Sequence, residues 1–220
     1  MKALIIGASG GIGSAIADQL EHDRVDVTRL SRSADGFDAG NPGSVDRALE
    51  RLSGPFDLIF VAIGILAPLW GSPEKTLSAI KAEDMARVMS VNAIGPALIM
   101  RHAARLMPKD SRAVIATLSA RVGSIGDNQI GGWYSYRASK AALNQIVHGA
   151  AIELARTHKD SICVALHPGT VETKFTEDYA GRHKTVPATE AAQNLIKVMK
   201  KLTPAQTGGF YDYSGQEVPW

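Results

Sequence analysis

The sequence predicts one α/β domain: a doubly wound parallel sheet in three layers, with helices covering both faces. Short, continuously apolar runs alternate with longer helix-like segments along the 220 residues. Such runs are typical of parallel strands that are buried on both faces. The chain is also long enough to bury one core without dividing into two. We therefore expect a single domain over residues 1–220.

The predicted strands and helices alternate with one exception. Strands are predicted at 3–6, 25–30, 58–63, 113–118, 162–166 and 209–213, and helices at 12–20, 45–52, 82–106, 139–157 and 189–202. The exception lies between Leu30 and Val45, where glycine, proline and serine crowd a segment too short for a crossover helix. We expect the second crossover helix to be absent, with Phe37–Asp38 as the remnant of a third strand.

The composition excludes several classes of function. Hydrophobic residues make up 45%, charged residues 21%, and the net charge is +2. Because no run of Lys or Arg forms a polyanion-binding tail, we expect no nucleic-acid partner. The first apolar run ends at Ile6, too early for a signal peptide or a membrane span, so we expect a cytoplasmic protein with no membrane partner. Cys163 has no second cysteine to pair with, and the six histidines lack metal-ligand spacing, so no metal site is expected.

A glycine-rich turn follows the first predicted strand and opens the first predicted helix. Glycine permits positive φ angles and a close approach to a pyrophosphate, and a helix N-terminus offers unpaired N–H groups and a favourable dipole. The spelling G-x-G-x-x-G fails because positions 9 and 12 are Ser and Ile. G-x-x-x-G-x-G and G-x-x-G-x-x-G are both present in residues 7–13. A tight turn without a ligand is the alternative, but the position directly after the first strand favours dinucleotide binding.

Tyr136 and Lys140 form a Y-x-x-x-K motif in a helix-like stretch. A spacing of four places both side chains on one helix face. A neighbouring ammonium would lower the pKa of the phenol from about 10 towards neutrality. Tyr136 could then donate a proton to a carbonyl or accept one from an alcohol. A solvated helix pair is the alternative, but the order of strand, glycine turn and motif favours catalysis.

With these motifs the sequence resembles the short-chain dehydrogenase/reductase family over almost its whole length. In that family G-x-x-x-G-x-G binds the dinucleotide in the short, single-domain branch, whereas G-x-x-G-x-x-G is typical of a longer branch. Only 80 residues follow Lys140, too few for the longer branch's extra domain, so the short branch is favoured. The resemblance implies a Rossmann fold and an NAD(P)-dependent enzyme that interconverts small-molecule carbonyls and alcohols.

The resemblance also implies the cofactor-binding residues. In the segment that matches P-G-x-x-x-T, the Val171 backbone would bind the carboxamide and the Thr173 hydroxyl a phosphate oxygen. Asp38 sits where the family often contacts the adenine amino group. The full set is Gly7, Ser9, Gly10, Gly11, Ile12, Gly13, Ser31, Arg32, Asp38, Ala62, Gly64, Tyr136, Lys140, Pro168, Gly169, Val171 and Thr173.

The end of the second predicted strand indicates which nicotinamide cofactor binds. A carboxylate there would hold the ribose hydroxyls of NAD, but Asp26 falls too early in the strand. The strand instead ends in Ser31, Arg32 and Ser33, which in the resembling family marks NADP because guanidinium and hydroxyl groups can bind its 2′-phosphate. A merely solvated Arg32 is the alternative. We expect NADP(H) to be favoured over NAD(H).

The resemblance implies two further catalytic residues. Asn92 matches the helix asparagine whose main-chain distortion holds a proton-relay water beside the lysine, although it could simply be an interior polar residue. The carbonyl-polarising serine is usually second in a Ser-Ser pair, where this chain has Ser119 followed by Ala120. We expect Ser119 to serve, with Ser124 as a less favoured substitute. If neither reaches the substrate, one hydrogen bond to the developing alkoxide is missing and turnover should fall.

Longer strings at 122–128, 131–134 and 210–220 resemble a subgroup that includes C-factor-like proteins and sniffer-like carbonyl reductases. This subgroup permits an alternative function, a dinucleotide-binding signalling or sensor protein with little catalysis. Trp133 is expected either to touch the substrate or to pack structurally, and residues 174–184 fall where the family keeps a substrate-covering loop. The long helices at 82–106 and 139–157 pair subunits in the family, so we expect a homodimer or homotetramer.

Overall fold

The computed structural model describes residues 1–68, 71–173, 175 and 185–220. Six parallel strands form the main sheet, in the order β2-β1-β3-β4-β5-β8. They are β1 (Lys2–Ile6), β2 (Asp26–Leu30), β3 (Leu58–Val61), β4 (Ala113–Leu118), β5 (Ser161–His167) and β8 (Phe210–Asp212). The strand order changes direction between β1 and β3, which is where doubly wound sheets bind ligands. A separate parallel pair joins β6 (Val171–Glu172) to β7 (Val186–Pro187).

Eight α-helices formed by the described residues surround the sheet, and the alternation of side chains along the strands explains their division between two faces. Leu4 and Ile6 of β1 share one buried cluster with α3, α5 and α7, whereas Ile5 points the other way and joins α1 and α8. The three layers and the doubly wound sheet are therefore as predicted. The helices are α1 (Gly11–His22), α2 (Arg32–Asp35), α3 (Pro42–Glu50), α4 (Ala82–Met89), α5 (Gly95–Met100), α6 (Ala103–Leu106), α7 (Tyr134–Leu154) and α8 (Ala188–Lys201).

The segment after β2 differs from the prediction in one respect. No full crossover helix is present there; the single turn α2 takes its place and ends at Gly36, which has φ +66°. The predicted remnant strand at Phe37–Asp38 is wrong. Phe37 is buried in the core, but the N–H of Asp38 donates to the Ser44 hydroxyl at 3.0 Å instead of to a neighbouring strand. Local capping at the start of α3 thus replaces sheet pairing.

The long helix predicted at 82–106 is interrupted. A π-helical segment, Ser90–Ile94, separates α4 from α5. Pro96 has no N–H and so cannot donate to the carbonyl of Asn92 in the i→i−4 pattern of an α-helix. Gly95 lies so close to the loop before α3 that a Cβ there would fall 2.5 Å from the carbonyl oxygen of Ala39. Both constraints favour the wider turn, which contains Asn92 at its centre.

Two features are absent from the described residues. None of the helices they form is long and apolar enough to cross a membrane. Within the same ranges, no group of three or more His, Cys, Asp or Glu side chains is arranged to hold a metal ion.

Candidate active site

The glycine turn brings the ends of two strands and a helix into direct contact. Gly7 has φ +89°, and a Cβ there would lie 2.3 Å from the carbonyl oxygen of Ala62 after β3. A Cβ on Gly13 in α1 would lie 2.3 Å from the carbonyl oxygen of Gly7. The N-cap of α1 is Gly10, which leaves the first helical turn without a side-chain cap. Since this turn is exposed at Gly10–Gly11, its N–H groups are free to face an anion such as a pyrophosphate.

The segment 168–173 returns to the same turn. A Cβ on Gly11 would fall 2.6 Å from Cγ2 of Thr173, so the threonine lies against the first residue of α1. Gly169, with φ +79°, makes the bend that follows Pro168, and Val171 is buried with 2% exposure. The two predicted parts of the cofactor site, which are far apart in sequence, therefore meet in space. Ser9 is exposed at the tip of the glycine turn, and Ile12 is half-buried in the first turn of α1.

The tip of β2 carries both signs of charge. Ser31 is buried and caps α2, its hydroxyl accepting from the N–H of Ala34 at 3.2 Å. Arg32 is exposed at the first position of that helix. Asp35, which the sequence reasoning missed, accepts the N–H of Ser31 at 2.7 Å. Serine followed by an acid one turn later is a helix-start signal that could have identified it. Asp38 is half-buried, and its carboxylate accepts from the N–H of Gly40 at 2.9 Å.

Tyr136 and Lys140 lie side by side in the first two turns of α7 and are buried, with 6% and 3% exposure. Lys140 Nζ is 5.8 Å from the centre of the Tyr136 ring and donates to the carbonyl of Leu118 at 2.8 Å. A Cβ on Gly64 would meet the same Nζ at 3.4 Å. Burial lowers the pKa of Lys140 to about 7 and raises the pKa of Tyr136 above its ordinary value. The predicted lowering of the Tyr136 pKa is therefore wrong here, because desolvation of the phenolate dominates.

Asn92 ties the loop after β3 to α7. Its side-chain oxygen accepts from the N–H of Ile65 at 2.8 Å, and its amide donates to the Ile65 carbonyl at 2.8 Å. The same amide donates to the Ser139 hydroxyl at 3.0 Å, which in turn donates to the carbonyl of Tyr136 at 2.8 Å. Asn92 is completely buried, so this network leaves no side-chain polar atom unpaired. The distorted helix backbone expected at Asn92 is present as the π-helical segment.

The two candidate serines differ in what their hydroxyl protons do. Ser119 is buried and donates to the side-chain oxygen of Asn144 at 2.6 Å. It would have to give up this bond in order to donate to a substrate oxygen. Ser124 is also buried and accepts from the N–H of Asp127 at 3.0 Å, but its own hydroxyl donates to none of the described residues. Ala120, at the position of the usual serine, is half-buried.

Glu74, which contacts the residue before Tyr136, was not predicted from the sequence. Glu74, buried with 8% exposure, accepts both the N–H and the hydroxyl of Ser135. No local pattern signals this contact, because the partners are 61 residues apart. The centres of the Trp133 and Tyr136 rings are 6.2 Å apart in an edge-to-face arrangement, which agrees with either role expected for Trp133. The Phe175 ring also lies 5.9 Å from the Tyr136 ring, while the rest of the predicted covering loop lies outside the described residues.

Known proteins resemble this chain in sequence and in structure. Residues 7–210 match a family model described as enoyl-(acyl carrier protein) reductase. The C-signal protein of Myxococcus xanthus is 34% identical over 171 residues, which cover 76% of this chain and 95% of that protein. The 1-hydroxy-2-glutathionyl-2-methyl-3-butene dehydrogenase of Rhodococcus sp. strain AD45 is 32% identical over 234 aligned residues, which cover 99% and 98% of the two chains.

A solved structure agrees with these matches. The short-chain dehydrogenase/reductase from Burkholderia multivorans with bound NADP superposes with a TM-score of 0.79 and is 27% identical, covering 100% of this chain and 99% of that one. The predicted fold class and the predicted family resemblance are both confirmed.

Proposed function

This chain belongs to the short-chain dehydrogenase/reductase family, and we propose that it is an NADP(H)-dependent oxidoreductase that interconverts a carbonyl and an alcohol. Tyr136 is the general acid/base and Lys140 assists it. The observation that carries the proposal is the buried Tyr136–Lys140 pair, with Gly64 packed against the lysine. Gly7 and Ala62 meet at the carboxyl edge of the sheet, where Gly64 also contacts Lys140. A dinucleotide bound at the glycine turn would therefore extend towards Tyr136 and Lys140.

The protonation states favour carbonyl reduction at neutral pH. Burial raises the pKa of Tyr136, so its phenol is protonated and can donate to a substrate carbonyl oxygen. Lys140, with a pKa of about 7, can gain or lose a proton close to neutral pH and would also bind the nicotinamide ribose hydroxyls. A bound NADPH would supply the hydride that adds to the carbonyl carbon. Oxidation of an alcohol needs the phenolate, which burial disfavours, so we expect it to require higher pH.

The glycine cradle fits a dinucleotide, and the full set of residues named for it in the sequence remains part of this proposal. The preference for NADP(H) rests on the exposed Arg32 at the end of β2 and on the NADP in the Burkholderia structure. The Asp35 carboxylate on the same turn opposes this preference, because a carboxylate repels the 2′-phosphate of NADP(H). Arg32→Ala should weaken NADPH binding far more than NADH binding, whereas Arg51→Ala, at an exposed arginine after α3, should change neither. Equal losses for both cofactors would remove the phosphate assignment.

The proposed chemistry is tested with a panel of activated carbonyls, following NADPH absorbance. Tyr136→Phe should abolish turnover and leave NADPH binding intact. Tyr134→Phe is the matched control, since it removes a phenolic hydroxyl from the half-buried first residue of the same helix. If the panel shows no difference between wild type and Tyr136→Phe, catalysis by Tyr136 is refuted.

That negative result would favour a second function, dinucleotide-dependent signalling or sensing with little catalysis. Two observations support it: the 34% identity with the C-signal protein and the alanine at position 120. Binding of NADPH without turnover of any panel compound would be its signature.

We further propose that the protein is a homodimer or homotetramer. Ile94 and Ile152, on the two helical stretches predicted to pair subunits, have 50% and 54% of their surface exposed. Light scattering of the purified protein measures its mass, and a mass of one chain at micromolar concentration would contradict the proposal.

A further inference from the structure

We propose that Glu74 is a positioning residue for the reaction: it caps the helix that carries Tyr136 and so fixes where the phenol lies. This inference rests on the proposed function. Glu74 belongs to the loop between β3 and α4, 62 residues before Tyr136 in the sequence.

The helix α7 needs a cap that its own neighbours do not provide. Helix N-termini leave their first N–H groups without intrahelical partners, and the residue before the helix usually supplies a side-chain acceptor. Here that residue is Trp133, which makes no side-chain cap. The carboxylate of Glu74 accepts the N–H of Ser135 at 3.2 Å and also the Ser135 hydroxyl. Glu74 therefore binds the residue immediately before Tyr136.

The charge of Glu74 suits this position. Burial by itself raises the pKa of Glu74, but the hydrogen bonds from Ser135 and from the backbone N–H of Glu74 itself outweigh it and hold the pKa below its ordinary value. The group is consequently a carboxylate at neutral pH, facing the positive end of the helix dipole. A carboxylate with only 8% exposure is costly unless it is well bonded. In the described residues no Lys, Arg or His forms a salt bridge with it, so the α7 terminus is its main partner.

Glu74 also stabilises an unusual backbone run just before the helix. Residues 131–133 all have positive φ, at +68°, +65° and +51°. The last of them is Trp133, whose side chain makes this conformation unfavourable by about 1–2 kcal/mol. The main-chain carbonyl of Glu74 accepts the N–H of Trp133 at 2.5 Å. This bond holds the strained residue in place, with its indole edge against the Tyr136 ring.

The main-chain carbonyl and the side-chain carboxylate of Glu74 thus bind two nearby residues just before Tyr136. The main chain fixes Trp133 and the side chain fixes Ser135, and Tyr136 follows directly. Loss of the carboxylate should let the first turn of α7 fray, which displaces the phenol. The glycine turn and segment 168–173 belong to other elements than the helix that Glu74 caps, so cofactor binding should persist.

The test uses single-turnover hydride transfer in the full-length protein, with NADPH premixed and an active carbonyl from the panel added in a stopped-flow instrument. This first-order rate constant does not depend on the fraction of folded molecules, so a merely structural defect would not change it. Glu74→Ala should lower it on the order of 10- to 100-fold, as misplacement of a catalytic group does. NADPH dissociation constants should stay within about twofold. Glu74→Gln retains one acceptor oxygen and should lose less.

Two further variants complete the experiment. Glu83→Ala removes an exposed acid from the first turn of α4 and should leave the rate constant unchanged. Ser135→Ala should slow the reaction, and combining it with Glu74→Ala should add little, because the two residues form one interaction.

The proposal is overturned if Glu74→Ala reacts within about twofold of wild type, if Glu83→Ala loses as much, or if the loss appears in NADPH affinity instead. Should Glu74→Ala not fold, Glu74→Gln decides by the same criteria. Tyr136→Phe separates the two levels: if it reacts normally, the proposed function falls and this inference with it. If Tyr136→Phe is inactive while Glu74→Ala is normal, only the inference about Glu74 is wrong.

Discussion

Replacing Lys140 with methionine should make the protein more stable at low pH while removing its activity. Methionine keeps the length and the apolar stem of the side chain but carries no charge. Lys140 is buried with 3% exposure, beneath Gly64 and beside Tyr136. Its ammonium is therefore desolvated in the folded protein, which lowers the stability. The proposed reaction uses this ammonium, so methionine should remove the activity together with the desolvation cost.

The size of the effect follows from the pKa of Lys140. Burial lowers that pKa from 10.5 to about 7. At about 1.36 kcal/mol per pKa unit, the charged lysine lowers the free energy of unfolding by about 5 kcal/mol below pH 7. The substitution also leaves the Leu118 carbonyl without its donor, at a cost of about 1–3 kcal/mol. Lys140→Met should thus be about 2–4 kcal/mol more stable than wild type at pH 6.

The dependence on pH has a definite sign. Above pH 7 the folded protein releases the Lys140 proton, whereas the unfolded chain keeps it until about pH 10.5. The unfolded state then binds more protons, so this group makes wild-type stability rise with pH. Between pH 6 and pH 9 wild type should recover about 3 kcal/mol at about 1.36 kcal/mol per pH unit above the folded pKa. The advantage of Lys140→Met should therefore almost disappear at pH 9.

Urea unfolding at pH 6 and pH 9 measures both quantities, and the comparison with wild type cancels all other titrating groups. Lys159→Met, at an exposed lysine, serves as the control and should differ little from wild type at either pH. A Lys140→Met protein that is less stable than wild type at pH 6 would refute the reasoning. So would an advantage of the same size at both values of pH.

Three more predictions concern the site. Gly7→Ala should cost more than about 3 kcal/mol in urea unfolding, since its Cβ would lie 2.3 Å from a backbone oxygen; Gly36→Ala, with positive φ but open space, should cost about 1–2 kcal/mol. Equal costs would contradict this. Because the Ser119 hydroxyl already donates to Asn144, we propose that Ser124 is the polarising serine, so Ser124→Ala should slow single-turnover reduction more than Ser119→Ala, whose main effect should be about 1–3 kcal/mol of stability; the reverse order would support Ser119, as the sequence predicted. Because Ser124 would already supply the hydrogen bond to the substrate oxygen, Ala120→Ser should change the rate by less than about tenfold, and a larger acceleration would show that the usual hydroxyl is missing.

The strands and the motifs were predictable because their signals are local. A strand buried on both faces must be apolar at nearly every position, and β1, β3, β4 and β5 meet that demand. The glycine spacing reflects two contacts that a Cβ would block, at Gly7 and Gly13. The Y-x-x-x-K spacing is fixed by the geometry of a single helix. Each of these constraints is written within a few adjacent residues.

The remaining features depend on partners that the sequence does not identify. Glu74 contacts Ser135 across 61 residues, and no periodicity records such a pairing. The direction of the Tyr136 pKa depends on how completely the ring is buried, whereas the motif reveals only the neighbouring lysine. The remnant strand predicted at Phe37–Asp38 does not form, because the N–H of Asp38 donates to the Ser44 hydroxyl instead of to a neighbouring strand. Whether the N–H of Asp38 donates to a helix-capping hydroxyl or to a neighbouring strand depends on the three-dimensional arrangement of the two partners.

The π-helical segment Ser90–Ile94 has a consequence for the length of the chain. Such a segment holds one residue more than an α-helix of the same span would need. A chain shortened by one residue there would bury the same faces of α4 and α5, although Pro96 would still lack the N–H that a regular α-helix needs. What it would lose is the position of Asn92, which would turn by about 100° around the helix axis. The surplus residue therefore holds Asn92 where its side chain reaches Ile65 and Ser139, at a point where Pro96 already disfavours a regular α-helix.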